Sequence, residues 1–294
     1  MLRLRPEKTA LRAALWMSGA IVSFSAMAVA GRAVSLDHDT FELMLFRSVI
    51  GIGLVVLIGS ASGTLHQIST DRLGLHAVRN LCHFAGQNLW FYALTLIPLA
   101  QLFALEFTSP IWVMILAAVF LGEKVTRVRA GTAVLGFIGV ILVARPNIGG
   151  IEPGVVIAAL AAIGFAGSAI ATKMLTRTAG ITCILFWLTV MQAGFGLITA
   201  GIDGDIALPT QRSLPWITVI AFCGLGAHFC LTKALTLAPA SVVMPVDFLR
   251  LPVIALIGML LYGEPIEIWV FAGGALIFLA NFINIRAEAL RRQP

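Results

Sequence analysis

ALTLIPLAQLFALEF (93–107) and ALTLAPASVVMPVDF (234–248) are two copies of one segment, set 141 residues apart. In each, one acid stands eight residues beyond the first proline: Glu106 after Pro98 and Asp247 after Pro239. An unpaired carboxylate in an apolar setting is costly, so an acid at the same place in both copies calls for an explanation. The offset holds without a gap well beyond these segments. Gly122-Glu123 matches Gly263-Glu264, Leu135 and Phe137 match Leu276 and Phe278, and Arg145 matches Arg286. Upstream, Phe24, Ala28, Ala30 and Arg32 match Phe165, Ala169, Ala171 and Lys173. The chain reads as a duplicated unit, 1–146 followed by 147–294.

The 294 residues are 59% hydrophobic and 12% charged. A soluble domain averages about 45–50% apolar and about 25% charged, so the composition indicates an integral membrane protein. Taking roughly 20 apolar residues to cross a core of about 30 Å, the sequence divides into ten spans. They cover 11–31, 40–60, 74–97, 98–121, 127–145, 153–173, 180–200, 214–237, 239–262 and 267–286. The expected fold is an all-α polytopic membrane protein. Pro98 and Pro239 each begin a span, where proline is best tolerated. The first span has the look of a signal peptide, with basic residues, an apolar stretch and AMAVA (26–30); its match in the second repeat argues that it stays. Cys82, Cys183, Cys223 and Cys230 lie in apolar segments without metal or redox spacing and read as packing residues.

Placing the N-terminus inside puts fifteen lysines and arginines on the cytoplasmic side and three, Arg32, Arg145 and Arg212, outside. Arg47 and Arg250 fall within spans. The positive-inside rule then places both termini in the cytoplasm. The basic pI is thus a topology signal, and no soluble basic face exists for nucleic acid.

Five spans per repeat is an odd number, so the second repeat enters the membrane from the opposite side. The repeats are inverted, an architecture of secondary transporters with a substrate site near the midplane. Glu106 and Asp247 each lie about 12 Å along their helices from opposite faces, which brings both near the middle. Arg250 stands three residues after Asp247, on the same helical face. Two readings stay open. Glu106, Asp247, Arg47 and Arg250 neutralise one another as two buried pairs, or they engage substrate or a coupling proton. His83, Gln87 and Trp90 share one face of span three, and His228 is the repeat mate of Gln87. With Phe103, Phe107, Phe248 and Trp187 they form a candidate lining suited to an amphiphilic organic solute, or else helix contacts. Asn88, Tyr92 and Lys233 then read as boundary residues. Pro110, Pro245 and Pro252 are candidate hinges inside spans four and nine. Gly131, Gly136, Gly139, Gly273 and Gly274 permit close helix contact, within or between chains.

A proline-started span followed by Ser109-Pro110-Ile111-Trp112, Leu121-Gly122-Glu123 and a glycine-rich span from Gly131 to Pro146 resembles the EamA family of the drug/metabolite transporter superfamily. The second copy runs from Pro239 through Tyr262-Gly263-Glu264 to Arg286. The resemblance implies ten helices, cytoplasmic termini, a bacterial cytoplasmic membrane and a central cavity lined by spans three, four, eight and nine. It also implies export of amino acids or other metabolites, or uptake of compounds such as riboflavin or S-adenosylmethionine. The second copy departs from the pattern, with Phe248-Leu249-Arg250 where the first has Phe107-Thr108-Ser109. Arg250 there would favour a substrate bearing an anionic group.

Catalytic motifs are missing: the chain has no HExxH, GxSxG or P-loop, and GIG (51–53) lies inside a span. The expected activity is alternating-access transport, most simply export of amino acids or related compounds, with vitamin or cofactor uptake as the alternative and a channel as a third. Expected partners are a small organic solute and the lipid bilayer, with protons a candidate coupling ion. No cofactor, metal or nucleic acid is called for, and the chain reads as a monomer or weak homodimer.

Overall fold

The computed structural model describes residues 6–121, 126–145, 151–202, 204–237, 246–247 and 249–291. Among these, eleven α-helices follow the expected spans: α1 (Pro6–Val34), α2 (Thr40–Ala61), α3 (Leu73–Leu96), α4 (Leu99–Glu106), α5 (Ser109–Leu121), α6 (Arg127–Ala144), α7 (Pro153–Leu175), α8 (Ile181–Ala200), α9 (Leu214–Leu237), α10 (Arg250–Tyr262) and α11 (Ile268–Arg291). Pro239, Pro245 and Phe248 lie outside the described residues, as do Gly122, Glu123 and Pro146.

Span four is built as two helices, α4 and α5, separated by a turn at Phe107-Thr108 just before Pro110, the proline noted inside it. Pro110, the second residue of α5, has no N–H to give the Glu106 carbonyl one turn back. The Ser109 hydroxyl donates to that carbonyl instead, at 2.8 Å. The Phe107 carbonyl accepts from Asn281 Nδ2 of α11 at 2.8 Å. Both carbonyls opened by the break are therefore satisfied without water, as a membrane interior requires. Pro252 is likewise not mid-helix. It is the third residue of α10, within a first turn that has no intrahelical N–H partner to lose.

The packing carries the repeat. α1 lies against α9 and α3 against α7, α2 pairs with α8, and α6 pairs with α11. Shifting by 141 residues turns α1, α2, α3 and α6 into α7, α8, α9 and α11. The first two contacts then exchange, while the other two map onto themselves. That is the signature of a two-fold relation between inverted halves, and it makes the fold a polytopic bundle of two five-span repeats.

The polarity of the bundle is inverted relative to a soluble protein. Leu57, Leu81, Leu160, Ile198 and Leu260 are exposed, whereas His76, Arg79, Asn80, His83 and Gln87 of α3 are buried. Among the described residues six segments are long and apolar enough to cross a membrane on composition, with α4 and α5 together making one of them (Leu99–Phe120). α3 is not among them, because its buried face is a polar stripe.

At the end of the bundle marked by Arg32, several loops are stitched together. Asp39 caps α2 in a capping box with Glu42. Glu42 also accepts from the Ala207 amide at 2.6 Å, and His38 reaches Ser213 at 2.9 Å. Arg32 pairs with Glu264 and donates to the Leu94 carbonyl and, at 2.7 Å, to Ile97. Glu264 in turn accepts the Leu99 amide at the start of α4, at 2.8 Å. Arg145 and Glu267 pair at 2.6 Å on the surface nearby.

Gly139 and Gly273 mark the tightest approach of α6 to α11, which answers within the chain a contact that the sequence left open. A Cβ on Gly139 would stand 2.7 Å from the Gly273 carbonyl oxygen, whereas one on Gly131 would meet nothing within 4 Å. Gly139→Ala is expected to cost about 1–3 kcal/mol by overpacking, read as a lower Tm of the detergent-solubilised protein. Gly131→Ala is expected to leave Tm unchanged or slightly raised.

Candidate functional site

α4 ends where its acid is needed. Its eight residues run from the Glu264 contact at Leu99 to Glu106, about 12 Å at 1.5 Å per residue. Glu106 Oε2 accepts the indole N–H of Trp90 at 2.8 Å. Glu106 Oε1 accepts Arg250 Nη2 at 3.2 Å, and Asp247 Oδ2 lies 3.4 Å from the same nitrogen. One guanidinium thus joins the two repeat-mate acids. Arg250 is 3% exposed. Its guanidinium carbon sits 4.6 Å from the Phe24 ring centroid, 5.0 Å from Phe103 and 4.9 Å from Phe107, in cation–π geometry. Trp90 packs edge-on against Phe91 and Phe103.

Of the two readings left open for the four charges, the geometry does not form two separate pairs. Three of them form one cluster. Arg47 stands apart from it and donates to Gln87 Oε1 at 2.6 Å. Arg250 Nε and Nη1 and Asp247 Oδ1 are buried without a hydrogen-bond partner among the described residues. A buried donor and acceptor left open on one face cost stability unless something fills them.

The stripe of α3 continues from this cluster. The His83 ring lies 6.2 Å from His228 and 6.0 Å from Phe165. Phe24 bridges the two regions, facing His228 at 5.6 Å on one side and Arg250 on the other. Of the sequence candidates, the structure brings together Trp90, Phe103, Glu106, Phe107, Asp247 and Arg250, and beside them His83, Gln87, His228 and Arg47. It does not bring in Trp187. That indole donates to the Ser69 carbonyl at 2.8 Å and packs near His76, two turns of α3 away from His83. Asn88 is buried, not a boundary residue, and donates to the Phe84 carbonyl at 2.8 Å. Tyr92 is exposed, as expected.

Sequence reading missed His76, Arg79 and Asn80. All three are buried, Arg79 included although it is one of the fifteen basic residues that the charge count places on the cytoplasmic side. Arg79 donates to Thr172 Oγ1 at 3.1 Å and to Asn80 Oδ1 at 2.9 Å. The signal was present: positions 76, 79/80, 83, 87 and 90 repeat at helical spacing. Asn281 was missed as well, since only the tertiary structure sets it beside the break in span four.

Residues 11–145 and 152–286 each match the model of the EamA-like transporter family. A riboflavin transporter of Brucella anthropi is 32% identical over 252 residues, covering 84% of this chain and 88% of that protein. An S-adenosylmethionine uptake transporter of Rickettsia bellii is 25% identical over 277 residues, 93% of each chain. A pseudopaline exporter of Pseudomonas aeruginosa is 25% identical over 260 residues, 88% of this chain and 90% of that one. A crystal structure at 18% identity superposes with a TM-score of 0.65 over 96% of this chain and 99% of its own, which shows a common fold.

The ion cluster makes a stability prediction. Arg250→Met strands Glu106 and Asp247 and is expected to cost about 3–5 kcal/mol. Removing all three charges together in Glu106→Gln/Asp247→Asn/Arg250→Met should recover most of that loss. Thermal unfolding of the two variants in detergent checks it; a triple variant no more stable than the single one would refute the pairing.

Proposed function

This chain belongs to the EamA-like transporter family, and we propose that it is a secondary transporter carrying a small organic metabolite through the midplane site by alternating access. That it is a multi-pass membrane transporter follows from the family and the helical bundle. The observation that carries the finer reading is Arg250. It joins the repeat-mate acids across the two halves while leaving two of its own nitrogens, and one Asp247 oxygen, open to a ligand. The aromatic rings of Phe24, Trp90, Phe103 and Phe107 around it suit an organic cargo better than a bare ion. We assign the cargo to amino acids or related compounds, aromatic ones included, moved outward across the bacterial cytoplasmic membrane with both termini in the cytoplasm. The unit boundary lies at 146/147, and the protein works as a monomer or weak homodimer. The names of two relatives support a second reading, uptake of a vitamin- or cofactor-like solute. Alternating access is reversible, so gradients set net direction in either case.

In this cycle the Arg32–Glu264 contact is the closure of one end, and it parts when that end opens. The turn at Phe107-Thr108, followed by Pro110, is the hinge of span four. Pro252 holds the matching place at the start of α10. Glu106 changes protonation state if transport is coupled to protons.

Counterflow in proteoliposomes tests the reading, with amino acids, riboflavin and nucleosides preloaded and labelled solute followed with and without a pH gradient. One solute class is expected to exchange, and Glu106→Gln to slow it by about tenfold or more. Exchange insensitive to Glu106→Gln and to Asp247→Asn would remove these acids from the mechanism. A second measurement follows the closed end. Leu94→Cys, placed in a background lacking the four native cysteines, puts a thiol at a fully buried position beside Arg32. A membrane-impermeant maleimide is expected to label it slowly, and faster when Arg32→Gln is added. Equal labelling in both would show that Arg32 does not hold that end closed.

A further inference from the structure

The α3 stripe carries positive charge that the acid cluster does not reach. Arg47 of α2 and Arg79 of α3 have no ion-pair partner among the described residues. Arg47 uses only Nη1 in hydrogen bonds, to Gln87 and to the Met44 sulfur. Arg79 uses Nε and Nη1. Between and beside them lie buried imidazoles. Both ring nitrogens of His76 and Nε2 of His83 have no partner among the described residues. Guanidinium groups away from water are expected to find anions, yet no carboxylate among the described residues pairs with either arginine of this seam.

The seam also breaks the repeat. The mates of His76, Arg79, Asn80 and His83 are Ile217, Ile220, Ala221 and Gly224, and the mate of Arg47 is Leu188. Ile217, Ile220 and Ala221 are packed in the core. Structural neutralisation in a duplicated fold would give each half its own share, whereas both arginines here sit on the first half. Gly224 has a stated use. A Cβ there would stand 2.7 Å from Arg47 Nη2, so the missing side chain is what admits the guanidinium against α9.

We infer that Arg47, Arg79, His76 and His83 form an oxyanion subsite, which takes the carboxylate or phosphate of the transported solute while the Glu106–Arg250–Asp247 cluster holds another part of it. This rests on the transport reading above and narrows it to cargoes bearing an oxyanion. Guanidinium suits either group, because its planar fork offers paired donors to two oxygens at once. The Gln87 carbonyl holds the Arg47 fork in place, and Asn80 and Thr172 do the same for Arg79.

Binding to the full-length protein in detergent tests the subsite, by calorimetry and by shift of Tm. The probes are phenylalanine, its decarboxylated counterpart phenethylamine, and phenyl phosphate, with aliphatic carboxylates and phosphates and their amine or uncharged counterparts. At least one oxyanion probe is expected to bind and its counterpart not to, and the carboxylate and phosphate arms tell which group is read. Arg47→Gln and Arg79→Gln should each weaken that binding about tenfold, and Arg47→Lys by less. Gly224→Ala should weaken it with no charge removed, which separates loss of the subsite from loss of fold. Equal binding of amine and oxyanion, binding unmoved by all of these variants, or no oxyanion bound by the wild type overturns the subsite. Counterflow with the same panel keeps the two readings apart. Exchange of cationic or neutral solutes with no dependence on Arg47 or Arg79 leaves transport standing and removes the subsite; a wild type that exchanges nothing removes the transport reading itself.

Discussion

Arg250 holds two acids from opposite repeats in the middle of a bundle whose outside is oil-like. A carboxylate cannot remain ionised in such a place without a close counter-ion, and the counter-ion for Glu106 comes from the other half of the chain. α4 is therefore held at both ends by residues of the second repeat. Glu264 accepts its first amide at Leu99, and Arg250 meets its last side chain at Glu106. Between those points Leu99, Leu102, Phe103, Ala104 and Leu105 have no exposed surface. This eight-residue helix is thus enclosed and tied at both ends, from the Arg32–Glu264 contact to the Arg250 cluster.

The break after α4 follows from the same position. Pro110 lets span four turn, and Ser109 and Asn281 satisfy the carbonyls that the turn frees. Water does this in a soluble protein; in lipid the chain has to supply the donors itself. Phe107, in the turn itself, has its ring 4.9 Å from the Arg250 guanidinium carbon.

Duplication explains the scaffold, and the α3 stripe departs from it. The four principal helix pairings obey the two-fold relation. Glu106 and Asp247 obey it too, which suits a group placed on the axis. The α3 stripe does not, and α9 presents Ile217, Ile220 and Ala221 in its stead. A ligand is not two-fold symmetric, so a site that reads one has reason to differ between halves.

Local pattern alone determined much of this. Composition and apolar run length set the ten spans, because the hydrocarbon thickness fixes helix length. The constant offset of 141 residues fixed the inversion, because five crossings reverse direction. The equivalence of Glu106 and Asp247 followed from the same offset. Tertiary structure decided the partners. Arg47 and Arg250 look alike in sequence, each a lone arginine in an apolar span, yet one meets Gln87 and the other two acids. Arg79, near a span end, reads as a loop charge until α7 and α8 pack over it. Trp187 and Phe103 are both aromatic and mid-span, but Trp187 lies beside Ser69 and Phe103 beside Arg250. The reason is common to all of these cases. Spacing along a helix fixes which residues share a face, and only the packing of other helices fixes what that face meets.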